Sequence, residues 1–210
     1  RVLSGIGLSI RAGAIVGIIG ENGAGKSTLI KILNGSYTPT EGRIFFEGRE
    51  IRRMNADTAK RLGISTIPQE FNLINDLNVR ENIFLGRERR SGGVFLDKRA
   101  MRETAKALLA ELRTTVDPEE KIHNLSVAGK QMVEIAKAMV NQSKLLIMDE
   151  PTTVLTNTEI GVLFALMRRL KAKGTTIIYI SHKLKEVKEI CDEIMVLRVG
   201  QFISLDPAGG

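Results

Sequence analysis

Eight residues, Gly20-Glu21-Asn22-Gly23-Ala24-Gly25-Lys26-Ser27, constrain this chain more than any other stretch. They fit the pattern G-x-x-x-x-G-K-[ST], and their surroundings fit as well. Ala14-Ile15-Val16-Gly17-Ile18-Ile19 is apolar and β-branched and reads as a buried strand. Ser27-Thr28-Leu29-Ile30-Lys31-Ile32-Leu33 opens a helix that Asn34-Gly35 closes. A strand, a glycine-rich loop and a helix in that order turn successive backbone N–H groups inward at a helix N-terminus. Such a cradle suits phosphate oxygens. Gly20 to Thr28 are therefore the candidate nucleotide-binding residues. Lys26 supplies a fixed cation for the outer phosphates, and the Ser27 hydroxyl is a ligand for the accompanying magnesium ion. The plain alternative is a glycine-rich turn that happens to precede a helix. The pattern implies a chain that binds a nucleoside triphosphate.

The rest of the composition narrows the class. At 210 residues the chain can bury a core as one domain, with or without an inserted lobe. No apolar run approaches the ~20 residues of a membrane span, and no secretory leader opens the chain. The abrupt start at Arg1 suggests a missing N-terminus. A lone cysteine, Cys191, excludes an internal disulfide and reads as a small packed side chain where a helix hands over to a strand. The net charge of +7 raises the question of nucleic acid. However, the basic residues are expected to be spread along helix faces: Arg52, Arg53, Lys60 and Arg61, then Arg87, Arg89 and Arg90, then Arg168, Arg169, Lys171 and Lys173. Aromatic residues are only 4%, too few for stacking platforms, so no nucleic-acid partner is expected.

Strand-then-helix units dominate both ends. Leu8 to Ile10, Ile44-Phe45-Phe46 with a turn at Gly48, and Ile64 to Ile67 read as strands in the first block. Leu145 to Met148, Thr175 to Ile180 and Ile194 to Leu197 read so in the last. Thr156-Asn157-Thr158-Glu159 is a capping box at the head of a helix. Between Leu73 and Asn141 no strand is read, and Met101, Ala105, Leu108, Leu109 and Leu112 share one helical face. Met132, Val133, Ala136, Met139 and Val140 share another. Ser91-Gly92-Gly93 reads as a loop. An α/β layer with an inserted helical lobe follows. The expected core lobe is residues 1–72 and 142–210, and the helical subdomain 73–141.

Three strand ends carry the remaining candidates, since ligands of open α/β sheets gather there. Lys144-Leu145-Leu146-Ile147-Met148-Asp149-Glu150 ends in two carboxylates. Asp149 suits magnesium, directly or through water, and Glu150 suits the orientation and polarisation of an attacking water. His182 follows Ile177-Ile178-Tyr179-Ile180-Ser181, a position from which it can face the γ-phosphate. Gln69 follows Ile64 to Ile67. His123, in a polar loop, is expected to face solvent.

Gly20 to Ser27, Gln69, Leu125-Ser126-Val127-Ala128-Gly129, Asp149-Glu150-Pro151-Thr152 and His182 occur in the order and spacing of an ABC-transporter ATPase domain. The resemblance covers essentially the whole chain. Within that family it resembles the ATPase subunits of bacterial importers for simple sugars, of ribose and xylose type. The stretches Gln69-Glu70-Phe71-Asn72-Leu73-Ile74, Glu81 to Glu88 and Met132 to Ala138 carry that likeness. The resemblance implies a P-loop NTPase core, a mostly parallel sheet with helices on both faces and an antiparallel β edge, with a helical subdomain inserted. It implies ATP and magnesium as cofactors, and magnesium contacts from Ser27, Gln69 and Asp149. It also implies a second ATPase domain, fused or homodimeric, whose ATP site Ser126, Ala128 and Gly129 would complete. Gln69 would act with Glu150 and His182 in catalysis, from a hinge between the lobes. The groove from Gln69 to about Leu85 would receive a permease helix. The expected place is the cytoplasmic face of the cell membrane, bound peripherally, with a sugar-binding protein as an indirect partner. Two ATPase domains are usually fused in that subfamily, and this chain resembles the N-terminal one.

Where this chain departs from the family, alanine at 128 replaces the second glycine of L-S-G-G-Q and glycine at 129 replaces the glutamine. The aromatic that stacks on adenine in the family precedes Arg1, so base selectivity is not legible. Val199 stands where relatives favour aspartate in a hairpin. Rival readings are a DNA-acting ATPase of this fold, a non-hydrolysing regulator, and an importer of nucleosides or other small solutes. The first would need sustained heptads between the lobes, which the sequence lacks.

Overall fold

The computed structural model describes residues 3–88, 90–91, 95–141, 143–198 and 200–208. In chain order the elements are β1 (Ile15–Ile19), α1 (Lys26–Leu33), β2 (Phe45–Phe46), β3 (Arg49–Glu50), α2 (Ala56–Leu62) and β4 (Ile64–Ile67). Then come α3 (Val79–Ile83), β5 (Arg90–Ser91), β6 (Phe95–Leu96), α4 (Lys98–Glu111), a 3-10 turn at Ile122–Asn124 and α5 (Val127–Met139). The chain continues through β7 (Leu145–Asp149), α6 (Asn157–Ala172), β8 (Thr176–Ile180), α7 (Leu184–Ile190), β9 (Glu193–Arg198) and β10 (Gln201–Pro207). These residues divide into two compact units.

The first unit is Arg1–Thr66, Ser143–Glu150 and Met167–Gly210. Its frame is a six-stranded sheet in the order β10-β9-β1-β8-β7-β4. β1 pairs in parallel with β8 and β9, β7 pairs in parallel with β8, and β10 closes the edge antiparallel to β9. The central strands are buried along nearly their whole length, which is why they read as unbroken apolar runs rather than alternating ones. Val16, Ile18, Leu29, Ile30, Ile147, Ile178, Ile180 and Met195 form the core between sheet and α1. Asp192 anchors one end of β1 by accepting from the Ile15 N–H at 2.8 Å and from Lys171 Nζ at 2.5 Å. A separate hairpin joins β2 to β3 through Gly48 at φ 75°, a conformation that favours glycine.

The second unit is Ile67–Gln142 and Pro151–Leu166. Here α3, α4 and α5 pack on one another around Val79, Phe84, Met101, Ala105, Leu109, Met132, Val133 and Ala136. α3 opens with a reciprocal capping box, Asn78 and Glu81 each accepting from the other's backbone N–H. Thr156 and Glu159 do the same ahead of α6: Glu159 Oε2 accepts from the Thr156 N–H at 2.8 Å, and Thr156 Oγ1 from the Glu159 N–H at 3.4 Å. Arg80 donates twice to Glu119, from Nε at 2.8 Å and from Nη2 at 3.1 Å.

Two expectations are corrected. Residues 73–141 hold a short antiparallel ladder, Arg90 opposite Leu96 and Ser91 opposite Phe95, too brief to leave a periodic signal. Leu8 to Ile10 form no strand. The alternation is real, since Ile6, Leu8 and Ile10 are half-buried against the core while Gly7 and Ser9 are exposed. It is packing without a hydrogen-bonded neighbour strand. The loop expected at Ser91-Gly92-Gly93 and the turn at Val199 lie in part outside the described residues. Among the described residues no helix is long and apolar enough to cross a membrane.

Candidate active site

β1, β8 and β7 are consecutive neighbours and parallel, so their C-terminal ends share one edge of the sheet. The register aligns Ile18, Ile180 and Asp149 across it. One residue beyond each strand the chain changes direction, and the side chains that follow are Gly20 and its loop, Ser181-His182, and Glu150. Strand pairing thus gathers side chains more than a hundred residues apart in sequence.

The phosphate loop is shaped by close approach. A Cβ on Gly20 would sit 2.4 Å from the carbonyl oxygen of Leu197, so only glycine fits against β9. Gly25 caps α1 in the left-handed region at φ 104° and gives the helix no side-chain hydrogen bond. By contrast, α2, α3, α4 and α5 are each capped by a side chain, from Asn55, Asn78, Asp97 and Ser126. The first N–H groups of α1 therefore lack an internal side-chain acceptor, the condition that favours an outside anion. Lys26 Nζ donates to the carbonyls of Gly20 at 2.6 Å and Glu21 at 3.1 Å, which holds the ammonium over its own loop. The Gly200 N–H donates to the Ala24 carbonyl at 3.0 Å and ties the loop to the turn after β9. Glu21, Asn22, Gly23 and Ser27 are exposed, Thr28 is half-buried, and Ala24 is buried.

Asp149 titrates above the ordinary aspartate range because burial disfavours its charge and Glu150 repels it, while the positive charge of Lys26 pulls the other way. Lys26 and Asp149 thus act on one electrostatic site. Ser27 and Asp149 are hard oxygen donors that fit a magnesium ion, whose charge would relieve the crowding of the two carboxylates. Among the described residues no cluster of three His, Cys, Asp or Glu side chains could hold a metal alone. Glu150 adopts φ 49°, rare for a residue with a Cβ, and its N–H donates to the Ile180 carbonyl at 2.9 Å. Its Oε2 lies 2.8 Å from His182 Nδ1.

Sequence reading missed Glu186. Its Oε2 accepts from the Tyr179 hydroxyl at 2.6 Å, and its Oε1 pairs with Lys183 Nζ at 3.0 Å. Ser181 Oγ, which accepts from the Lys183 N–H at 3.1 Å, completes a staple around His182. The available signal was Tyr179, whose hydroxyl in a fully buried strand needs a partner. His123 is exposed as expected, with Nδ1 3.1 Å from the Asn75 carbonyl.

Gln69, Ser126, Ala128 and Gly129 belong to the second unit. Gln69 and Ser126 are exposed, Ala128 is half-buried and Gly129 is buried. Ser126 Oγ accepts from the Gly129 N–H at 3.1 Å, so α5 spends one of its terminal N–H groups on its own cap.

Known proteins share this fold. The family described as ABC transporter matches residues 3–153. The ribose import ATP-binding protein RbsA 2 of Streptomyces coelicolor is 47% identical over 206 residues, covering 98% of this chain and 40% of the relative. The galactose/methyl galactoside import ATP-binding protein MglA of Sodalis glossinidius is 43% identical, over 100% of this chain and 41% of its own length. The chain thus spans about two fifths of the curated relatives it matches. An ATP-binding cassette solved as a dimer in a post-hydrolysis state with ADP and Pi superposes with TM-score 0.88 at 25% identity, covering 100% of this chain and 91% of that one. A nucleotide-free cassette from an ABC transporter gives 0.84 at 29%, covering 98% and 85%. With its fold, its loop and its relatives in agreement over almost its whole length, the chain belongs to the ABC transporter family.

Proposed function

We propose that this chain is an ATPase that powers import of a monosaccharide through a membrane permease. It works as the core and helical lobes of one cassette, paired with a second ATPase domain at the cytoplasmic face of the membrane. The single observation that carries the reading is the glycine-capped N-terminus of α1 with Lys26 held over it. The backbone N–H groups and Lys26 bind the ATP phosphates. Ser27 and Asp149 would hold magnesium, Gln69 would be the further ligand that the family resemblance implies, and the ion when bound would neutralise charge on the outer phosphates. Glu150 accepts a hydrogen bond from the attacking water and orients it, and His182 fixes the Glu150 carboxylate from the side. Ser126, Ala128 and Gly129 serve the partner domain's nucleotide. The names of the relatives, ribose and galactose import proteins, support a simple sugar as the cargo.

Phosphate release with magnesium, measured across a range of protein concentrations, tests this. Specific activity is expected to rise with concentration, because part of each site comes from a second domain. No release at any concentration overturns the assignment. Activity independent of concentration, in a protein that stays monomeric, means that one chain holds a complete site.

A further inference from the structure

One residue beyond the described chemistry is held at both of its backbone polar groups by one helix. The Asn72 N–H donates to Glu134 Oε1 at 2.6 Å, and the Asn72 carbonyl accepts from Lys137 Nζ at 2.9 Å. Glu134 and Lys137 are three apart on α5 and therefore neighbours on its surface. Glu134 is only 4% exposed, in a row of buried residues on α5 that is otherwise mostly apolar. Burial raises its pKa, against the opposing pull of Lys137 and the Asn72 N–H. An apolar side chain there would avoid that desolvation cost. What the carboxylate provides instead is a fixed backbone.

The segment it fixes has no regular structure of its own. Residues 68–74 are neither helix nor strand, and Asn72 is exposed. Two residues further on, fully buried Asn82 repeats the device: its Oδ1 accepts from the Ile74 N–H at 2.7 Å and its Nδ2 donates to the Ile74 carbonyl at 3.1 Å. Gln69 lies three residues before Asn72, and Ser126 starts the helix that carries Glu134.

Resting on the reading of Gln69 given above, we propose that Glu134 and Lys137 are positioning residues: they bind the backbone after Gln69 to the helix that begins at Ser126. Displacement of either is then carried to the other. The ATP-sensing side chain and the helix end offered to the partner's nucleotide act as one piece.

Hydrogen exchange at the Asn72 amide, together with steady-state hydrolysis by the whole chain, tests this. In Glu134→Ala the amide is expected to exchange about tenfold or more faster, since its acceptor is gone. kcat should fall by about tenfold with the KM for ATP within about threefold, because phosphate binding is untouched. Glu134→Gln keeps an oxygen acceptor and should restore both, whereas Lys137→Met should move both in the direction of alanine, by less. Wild-type exchange and kcat in Glu134→Ala overturn the proposal, as does a glutamine variant as damaged as the alanine one. If Glu134→Ala does not fold, Lys137→Met decides: unchanged exchange and kcat there overturn it. Wild-type chain that binds no ATP in calorimetry with magnesium removes the reading of the site itself, a separate result from a clamp that fails in a chain that binds ATP.

Discussion

His182 Nδ1 and Glu150 Oε2 lie 2.8 Å apart, with the carboxylate side chain only 15% exposed and the imidazole 61% exposed. A carboxylate with few waters around it is a stronger hydrogen-bond acceptor, and the imidazole sets its direction. Glu150→Gln is therefore expected to lower turnover by about 10²–10⁴, the usual range for losing a general base. ATP affinity should remain near wild type, and the variant should elute as an ATP-dependent dimer in size-exclusion chromatography. If Glu150→Gln keeps most of its turnover while His182→Ala is dead, the roles are reversed.

Lys26→Ala removes the cation that sits over the loop. Hydrogen bonds to a charged group are worth about 1.5–3 kcal/mol, so ATP affinity should fall by about 10- to 100-fold or more. Calorimetry with magnesium measures it. Near-normal affinity would remove the loop from the site.

Asp149 gives a prediction of opposite sign for stability. Its folded pKa is raised, so its stabilising contribution is full below the ordinary aspartate value of about 3.9 and is lost as pH rises through the folded value. At pH 7 the charged carboxylate costs stability. Asp149→Asn should therefore melt no lower than wild type at pH 7 without nucleotide, and its advantage should shrink toward pH 3. The same variant should lose the magnesium dependence of ATP binding. A melting temperature several degrees below wild type would show that the charge is favourably paired.

The Arg80–Glu119 pair behaves in the other direction. The hydrogen bond from Arg80 holds the Glu119 carboxyl below the usual glutamate range. Its contribution is present above the ordinary value of about 4.3 and is lost as pH falls through the folded value. Glu119 is 39% exposed, so solvent screening reduces the benefit, and Arg80→Met should cost about 1–2 kcal/mol at pH 7. Urea unfolding at pH 7 and again near pH 3 measures both. An equal loss at the two values would mean that packing of the arginine stem, rather than its charge, is responsible.

Much of the candidate site and of the strands that carry it was legible because the signals are local. The run Ile15–Ile19, the glycines after it and Lys26 declare themselves within a dozen residues, as do Asp149 at the end of β7 and the Thr156–Glu159 box. The link between Glu150 and His182 was not legible, since it depends on Asp149 lying opposite Ile180 in the sheet. Glu186 and Glu134 were hidden for a related reason. Glu186 answers a hydroxyl on the buried strand β8 and Glu134 a backbone N–H in the irregular segment 68–74, and nothing in the neighbourhood of either distinguishes it from a surface glutamate. Leu8 to Ile10 show the converse error, in which periodicity reports burial but not the presence of a neighbouring strand.

Pairing of β1 with β8 sets Ile15 opposite Ile177, and just ahead of β1 the Gly13 N–H donates to Thr176 Oγ1, 163 residues away in the chain. At a synthesis rate of about 5–20 residues per second, the phosphate loop exists for roughly 10–30 s before the strands that complete its sheet leave the ribosome. During that interval β1 is an apolar segment without neighbours. A nascent chain cannot hold nucleotide in a finished site until β7, β8 and β9 are made, so ATP binding follows the closing of this sheet rather than preceding it. Nucleotide added during translation should not rescue a chain stalled before β8.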